Sequence, residues 1–394
     1  MSTVMTGSPE RQWFAFGVLC DCLNLVPWSV DGGDLRRRIG ELGWEQLLAL
    51  ADYYRLGSAL VHAIRVAGLA PAVPALTLPD GRMTITAEFA RRDAEHLQRR
   101  EVLGQRLDEL ALAFNAEGIV PIAIKGGRSV RLGSPAWRSL RDLDLLVPHG
   151  RAPRAQEIAF GIGYRESDTP RPRMFHHHQR ELYRDDMPGW IEIHRRAGLS
   201  RVEQFISTPE VVASAAMVEA LGRGRVGVLP AHLHVLQGLI HHHVGHRAVK
   251  RGIIHPKGLY EFAAEMAALD TGERQLLARR AARHPRLLAV FELWTAAAVD
   301  LFGLHLEEPL AADASNWWSG LRRRLVERGI DSSISTGAED ELRAATTAER
   351  MRRAAGGASA AKRLYWRITM PLSFVKRPVP PSLVRRPPRP GRGP

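Results

Sequence analysis

Cysteine is scarce in this chain. Cys20 and Cys22 are its only cysteines among 394 residues, a lone C-x-C with no second pair. That supports neither a disulfide framework nor a structural zinc site, and the two read as reduced thiols on a helix. Long apolar runs are missing as well. No stretch approaches the roughly 20 uninterrupted apolar residues that a membrane-spanning helix requires. The nearest, Trp13 to Trp28, is interrupted by Asp21, Asn24 and Pro27 and reads as a buried helix. Ser2 to Arg11 lacks the basic start of a signal peptide, so a cytoplasmic location without a membrane partner is expected. Acidic residues are the minority, 42 Asp and Glu against 55 Lys and Arg, giving a formal charge of +13. Six of those charges lie between Lys376 and Pro394, where there is no acid, so the rest of the chain is only mildly basic. No internal repeat is evident.

What is present suits a soluble globular protein: 45% hydrophobic and 25% charged residues, in a chain long enough for two or three domains. Its most informative stretch runs from Ile119 to Val147. An apolar run, Ile119 to Ile124, ends in Lys125-Gly126-Gly127 and reads as a strand entering a tight turn. There the glycines would serve positive φ or close approach of a ligand to the backbone. Arg141-Asp142-Leu143-Asp144-Leu145-Leu146-Val147 follows. Side chains alternate along a strand, so Asp142 and Asp144 share one face and Leu143, Leu145 and Val147 the other. Two carboxylates about 7 Å apart, backed by an apolar face, form a platform for a hard divalent cation whose remaining ligands come from phosphates. An Asp-x-Asp pair by itself is more often the solvated face of an edge strand. The preceding Gly-Gly turn, the apolar setting and a third acid downstream favour the metal-nucleotide reading. That acid is Glu192, in Trp190-Ile191-Glu192-Ile193-His194, where Glu192 and His194 point the same way. His177 to Arg184 and this segment, joined through Asp185 to Gly189, read as a hairpin that could bring Glu192 beside the two aspartates.

Around this core the pattern is helical. Trp44 to Ala51, Leu56 to Val66 and Thr86 to Glu117 carry apolar residues at helical spacing, and Pro71 to Asp80 is a loop. Ala152 to Phe160 is a short helix returning at Tyr164. Pro209 to Leu221, Ala231 to His243, Lys257 to Ala268 and Glu273 to Phe302 are read as helices. The expected organisation is an N-terminal helical region over 1–118, a catalytic core over 119–200, a C-terminal helical region over 201–345 and a basic, Pro/Arg-rich disordered tail over 346–394. The fold class is α+β, a small mixed sheet with helices on one side. The runs His176-His177-His178 and His241-His242-His243, with His246, invite a zinc reading. Consecutive histidines point in different directions, however, so no single run presents three ligands to one ion. His194 and His246 are read as substrate contacts or packed polar residues.

The sequence K-G-G, then R-x-x-x-D-x-D-L-L-V, a helix ending in Gly163-Tyr164, a His-rich segment and I-E-I-H resembles a bacterial family of uncharacterised nucleotidyltransferases in the DNA polymerase β-like superfamily. The resemblance implies Asp142 and Asp144 as the metal-binding pair and Glu192 as the third carboxylate. It places Lys125, Gly126 and Gly127 at the turn facing the triphosphate, with Arg138 also matching. The wider superfamily has Gly-Ser at this turn, so with Gly127 there, phosphate contact would rest on backbone N–H groups, Lys125 and Ser129. The implied enzyme moves a nucleoside monophosphate from a nucleoside triphosphate, ATP or another, to an acceptor with Mg²⁺ or Mn²⁺. Alternatives are a non-catalytic nucleotide- or RNA-binding module, or a role with a protein or peptide acceptor as an antitoxin or in natural-product tailoring. Asp142→Ala or Asp144→Ala is expected to abolish transfer with the fold intact.

The basic tail, far in sequence from the aspartates, reads as a solubilising segment, with weak contact to a polyanion the alternative. Removing residues after Val375 should leave Mg²⁺-nucleotide affinity unchanged in a calorimetric titration. If the acceptor is nucleic acid, each lost phosphate contact should flatten the slope of log affinity against log salt by about 0.9 for duplex DNA. A folded, truncated chain that no longer binds Mg²⁺-nucleotide would overturn this reading.

Overall fold

In a computed structural model the chain is described over residues 7–25, 31–66, 84–133, 135, 137–148, 150–167, 177–198, 200–219, 224–242, 254–307 and 312–328. Alternation does what it dictates at the centre. Strand β2 (Asp142–Leu146) buries Leu143 and Leu145 completely, and β5 (Met187–His194) does the same with Ile191 and Ile193. Those four side chains pack with Leu103, Leu107, Leu110 and Phe114 of the long helix α5 (Ile85–Ala116) and with Ala152, Ala155 and Ala159 of α7 (Ala152–Gly161). The opposite face of the same two strands carries Asp142, Asp144, Glu192 and His194. Burying one face against helices therefore fixes which way the acids point.

The remaining strands are β1 (Ile122–Ile124), β3 (Arg165–Glu166), β4 (Leu182–Arg184), β6 (Ala216–Glu219) and β7 (Arg225–Val228). All seven form one mixed sheet in the order β3-β4-β5-β2-β1-β7-β6. β2 runs antiparallel to β1 and parallel to β5, and β1 runs parallel to β7. The β4–β5 hairpin forms as read, though its turn is tighter: Arg184 pairs with Met187, leaving only Asp185 and Asp186 to cross over.

Two expectations change. The helix read over Pro209 to Leu221 stops early: α9 (Thr208–Ser214) is followed by β6, which pairs with β7 in a hairpin that extends the sheet beyond β1. The segment before and through β7, Gly-Arg-Gly-Arg-Val-Gly-Val, looks like a loop because glycine packs poorly in strands. Here Gly227 is a fitting requirement, since a Cβ on it would lie 2.9 Å from Ile122 Cγ1. Asn115 locks the hairpin down, donating from Nδ2 to the carbonyls of Ile119 (3.0 Å) and Arg225 (3.2 Å). The long helical region of Glu273 to Phe302 is likewise two helices, with Pro285 opening the second in the position where its missing N–H is harmless.

Helices surround the sheet in the chain before and after it: α1 (Pro9–Cys22), α2 (Gly32–Leu42), α3 (Trp44–Tyr53), α4 (Gly57–Val66), α6 (Gly126–Leu132), α8 (Ser200–Glu203), α10 (Ala231–Ile240), α11 (Pro256–Ala268), α12 (Thr271–Ala282), α13 (Pro285–Phe302) and α14 (Ala312–Arg328). Among the described residues no helix is long and apolar enough to cross a membrane. Cys20 and Cys22 are free and buried on α1, and burial, with Asp21 beside it, pushes the Cys22 thiol up to about 12. The loop read over Pro71 to Asp80 and the tail over 346–394 lie outside the described residues.

Of the two reasons expected for the Gly-Gly pair, positive φ does not apply. Neither glycine takes a positive φ; that conformation falls on Lys125, at φ 48° and ψ −121°. A Cβ on Gly127 would lie 3.0 Å from the Asp144 carbonyl oxygen, 3.2 Å from Leu143 Cδ1 and 3.3 Å from Ala123 Cβ. Its lack of a side chain lets α6 rest directly on β2. Gly127→Ala should therefore lower stability by about 1–3 kcal/mol, the usual range for overpacking. Gly40→Ala, inside α2 with nothing within 4 Å of its new Cβ, should raise it by about 0.5–1 kcal/mol. Urea unfolding of both checks the pair, and equal effects would contradict the packing account.

Candidate functional site

Backbone register assembles the site. Asp144 pairs with Glu192 across the parallel β2–β5 ladder, and Ile124 pairs with Asp144 across β1–β2, so Lys125 leaves β1 next to Asp144. The Lys125 ammonium donates to Asp144 Oδ1 at 2.6 Å. His194 Nε2 lies 2.7 Å from the same oxygen and 3.2 Å from Glu192 Oε2. Asp144 is 2% exposed and His194 fully buried, so these charges interact with little screening.

The proton affinities follow. Burial alone would raise the Asp144 carboxyl, but Lys125 and His194 overcome it and hold the group well below the usual carboxylate range. Glu192 is lowered against its own burial by His194. Burial and Lys125 both disfavour a charged His194, yet its hydrogen bonds to the two carboxylates raise it. Asp142 has no such partner. Burial, then the charges of Asp144 and Glu192, push it up to about 6, with Lys125 and Lys257 pulling the other way. Asp142 and Asp144, two residues apart on one strand, thus sit in opposite states of charge preference, a pattern associated with functional sites.

Asp144, Glu192 and His194 each place a ligand atom within 4.8 Å of the other two. Carboxylate oxygens converging in this way fit a hard divalent cation, with Asp142 adjoining on the same face of β2. The sequence reading grouped Asp142 with Asp144 and Glu192; the close group is completed by His194 instead. Its signal was present, since His194 follows Glu192 by two residues and shares its face.

Ser129 and Arg138, expected beside the phosphates, are buried against one another. Ser129 is fully buried, and its hydroxyl accepts from Arg138 Nη1 at 3.3 Å. Arg138 also reaches Glu261 (3.1 Å) and Glu265 (3.0 Å) on α11 and lies 3.0 Å from His234 Nε2 on α10. A guanidinium committed to two buried carboxylates ties those helices to the loop before β2. Lys257 joins it from α11, donating to the Ser139 carbonyl at 3.2 Å. The histidine runs contribute by pairing across elements: the rings of His177, His178 and His194 lie 4.8 to 5.3 Å apart, and His242 stacks on His255 at 4.5 Å. His176, His243 and His246 lie outside the described residues.

Burial would raise the Glu265 carboxyl, but His234, Arg138 and Arg128 bring it down to about 2. A carboxyl depressed on folding stabilises the fold above its unfolded value near 4.5, and that contribution drains away as pH falls towards 2. Glu265→Gln should therefore cost about 3–5 kcal/mol near neutrality, as expected for breaking a buried ion pair. Its stability should also fall less steeply than wild type between pH 4.5 and 2. Melting temperatures of both proteins across that window test this, and parallel curves would refute it.

The family model described as uncharacterised nucleotidyltransferase matches residues 40–303, well over half of the chain. No curated protein and no solved structure matches it. The matched span contains the Lys125 turn, both acidic strands and the α10–α11 pair that Arg138 holds. The chain belongs to the uncharacterised nucleotidyltransferase family.

Proposed function

We propose that this protein transfers a nucleoside monophosphate from a nucleoside triphosphate to the hydroxyl of an acceptor. The observation that carries the reading is the pairing of Asp144 with Glu192 on the polar face of the sheet, with the Lys125 ammonium 2.6 Å from Asp144. In the reaction the acceptor oxygen bonds to the α-phosphorus, the bond from that phosphorus to the β-phosphate bridging oxygen breaks, and pyrophosphate leaves. A divalent cation, Mg²⁺ or Mn²⁺, held by Asp142, Asp144 and Glu192 would supply neutralisation of the triphosphate charge. Glu192 completes that position or takes the proton of the acceptor hydroxyl. Lys125 offsets the charge growing on the leaving pyrophosphate, and the backbone N–H groups of Gly126 and Gly127 border the same turn. Ser129 and Arg138 act at one remove by holding α10 and α11 against the loop that leads into β2.

The buried pairing also decides which variants are informative. Asp144→Ala would strand Lys125 and His194 without their shared partner, and the loss of a buried ion-pair member costs about 3–5 kcal/mol. The expectation of an intact fold thus holds better for Asp144→Asn and Glu192→Gln, which keep the shape. Each should lower pyrophosphate release from labelled triphosphates by about a thousandfold, the rate equivalent of several kcal/mol of lost charge stabilisation. Both should remain folded, with melting lowered for Asp144→Asn, which leaves the Lys125 ammonium without its anion, and changed less for Glu192→Gln. Wild-type release by both folded variants would end the assignment. Nucleotide binding without release across an acceptor panel would favour the binding-module alternative.

A further inference from the structure

Helix α10 carries a polar side chain that the reaction scheme leaves unused. Gln237 is 3% exposed, and its Oε1 accepts from the Lys125 backbone N–H at 3.3 Å. Its Nε2 is buried with no hydrogen-bond partner. A buried donor left unpaired costs about 1–3 kcal/mol and calls for an explanation. An inverted amide would set two donors against each other at Lys125, so the oxygen faces the turn and the NH₂ is the free end. That NH₂ shares a carbon with Oε1 and therefore lies at the turn whose side chain reaches Asp144.

We infer that Gln237 is a phosphate-contacting residue, its Nε2–H donating to a phosphate oxygen of the triphosphate while its Oε1 steadies the Lys125 turn. An amide NH₂ has no lone pair to offer a cation, so its complement is an oxygen acceptor. Beside a lysine, the favoured acceptor is an anionic one. Lys125 also holds a backbone conformation that costs about 1–3 kcal/mol for a residue with a side chain and persists only where its surroundings impose it. The Gln237 carbonyl is one of those surroundings. It joins the turn to α10, 112 positions away in the chain. The inference rests on the transferase reading, because it needs a polyphosphate at this turn.

Gln237→Glu separates the two ends of the amide. It keeps an oxygen for the Lys125 N–H and replaces the NH₂ with a carboxylate oxygen. In calorimetric titrations of the full chain, its Kd for inorganic tripolyphosphate and for a non-hydrolysable nucleoside triphosphate with Mg²⁺ should rise about tenfold or more. Its affinity for Mn²⁺ alone, read by electron paramagnetic resonance, should not fall below the wild-type value, since the added carboxylate attracts the cation. A purely structural role would disturb Lys125, hence Asp144, and weaken Mn²⁺ in parallel; that result, or an unchanged polyphosphate Kd, overturns the inference. Gln237→Met, of similar length without polar atoms or added charge, should show the same polyphosphate loss, and wild-type affinity there overturns the inference whatever Gln237→Glu does. A wild-type chain that binds neither polyphosphate probe defeats the transferase reading and this inference together. One that binds both while the variants match it defeats this inference alone.

Discussion

One buried carboxylate sets the terms for the site. Asp144 can remain ionised at 2% exposure only because Lys125 and His194 both contact its Oδ1. Each of those partners makes a further demand. Lys125 reaches Asp144 from a backbone conformation unusual for a residue with a side chain, which requires the turn after β1 to be held from outside. His194 reaches it from the end of β5, which requires β2 and β5 to keep parallel register over the full length from Asp142 to Leu146. The helices covering Leu143, Leu145, Ile191 and Ile193 enforce that register, because a one-residue slip of either strand would turn its two core side chains onto the polar face.

The parts of this arrangement legible in the sequence were those carried by local periodicity. Alternation in Asp142 to Val147 and in Trp190 to His194 fixed which residues share a face, and the hairpin returning through Asp185 and Asp186 made the pairing of Glu192 with Asp144 available. What could not be read were relations between distant residues. Arg138 matched a motif and was assigned to phosphate, yet its partners Glu261 and Glu265 lie 123 and 127 positions downstream, where nothing local marks them. Ser129 went the same way, since a hydroxyl near a glycine turn looks like a phosphate ligand until a buried arginine is found against it. The β6–β7 hairpin was hidden for a different reason. Its glycines weaken the strand signal, yet Ile122 leaves no room for anything larger at Gly227.

The two glycines after Lys125 carry a related lesson about motif reading. A Gly-Gly step following a strand suggests a cradle for a ligand, and the local sequence cannot distinguish that from a cradle for the protein's own backbone. Here Gly127 lies against the Asp144 carbonyl, so the small residue serves the closeness of α6 and β2. The effect on chemistry is indirect but real: a helix seated that near to β2 brings the start of α6, and Lys125 before it, within reach of the acids.

The order of strands in the sheet carries a consequence for how the chain becomes itself. β1 is three residues long and lies between β2, which follows within some 20 residues, and β7, which is a hundred residues further along. Until Arg225 to Val228 exists, the strand that launches Lys125 has one open edge and only one neighbour to define it. Closing that edge means tying off a loop of about a hundred residues, which is entropically slow compared with forming the hairpins. During synthesis the acidic strands can therefore assemble before the lysine that neutralises them is fixed in place. The last addition to the inner sheet is then the glycine-bearing strand whose own sequence gives least sign of being one.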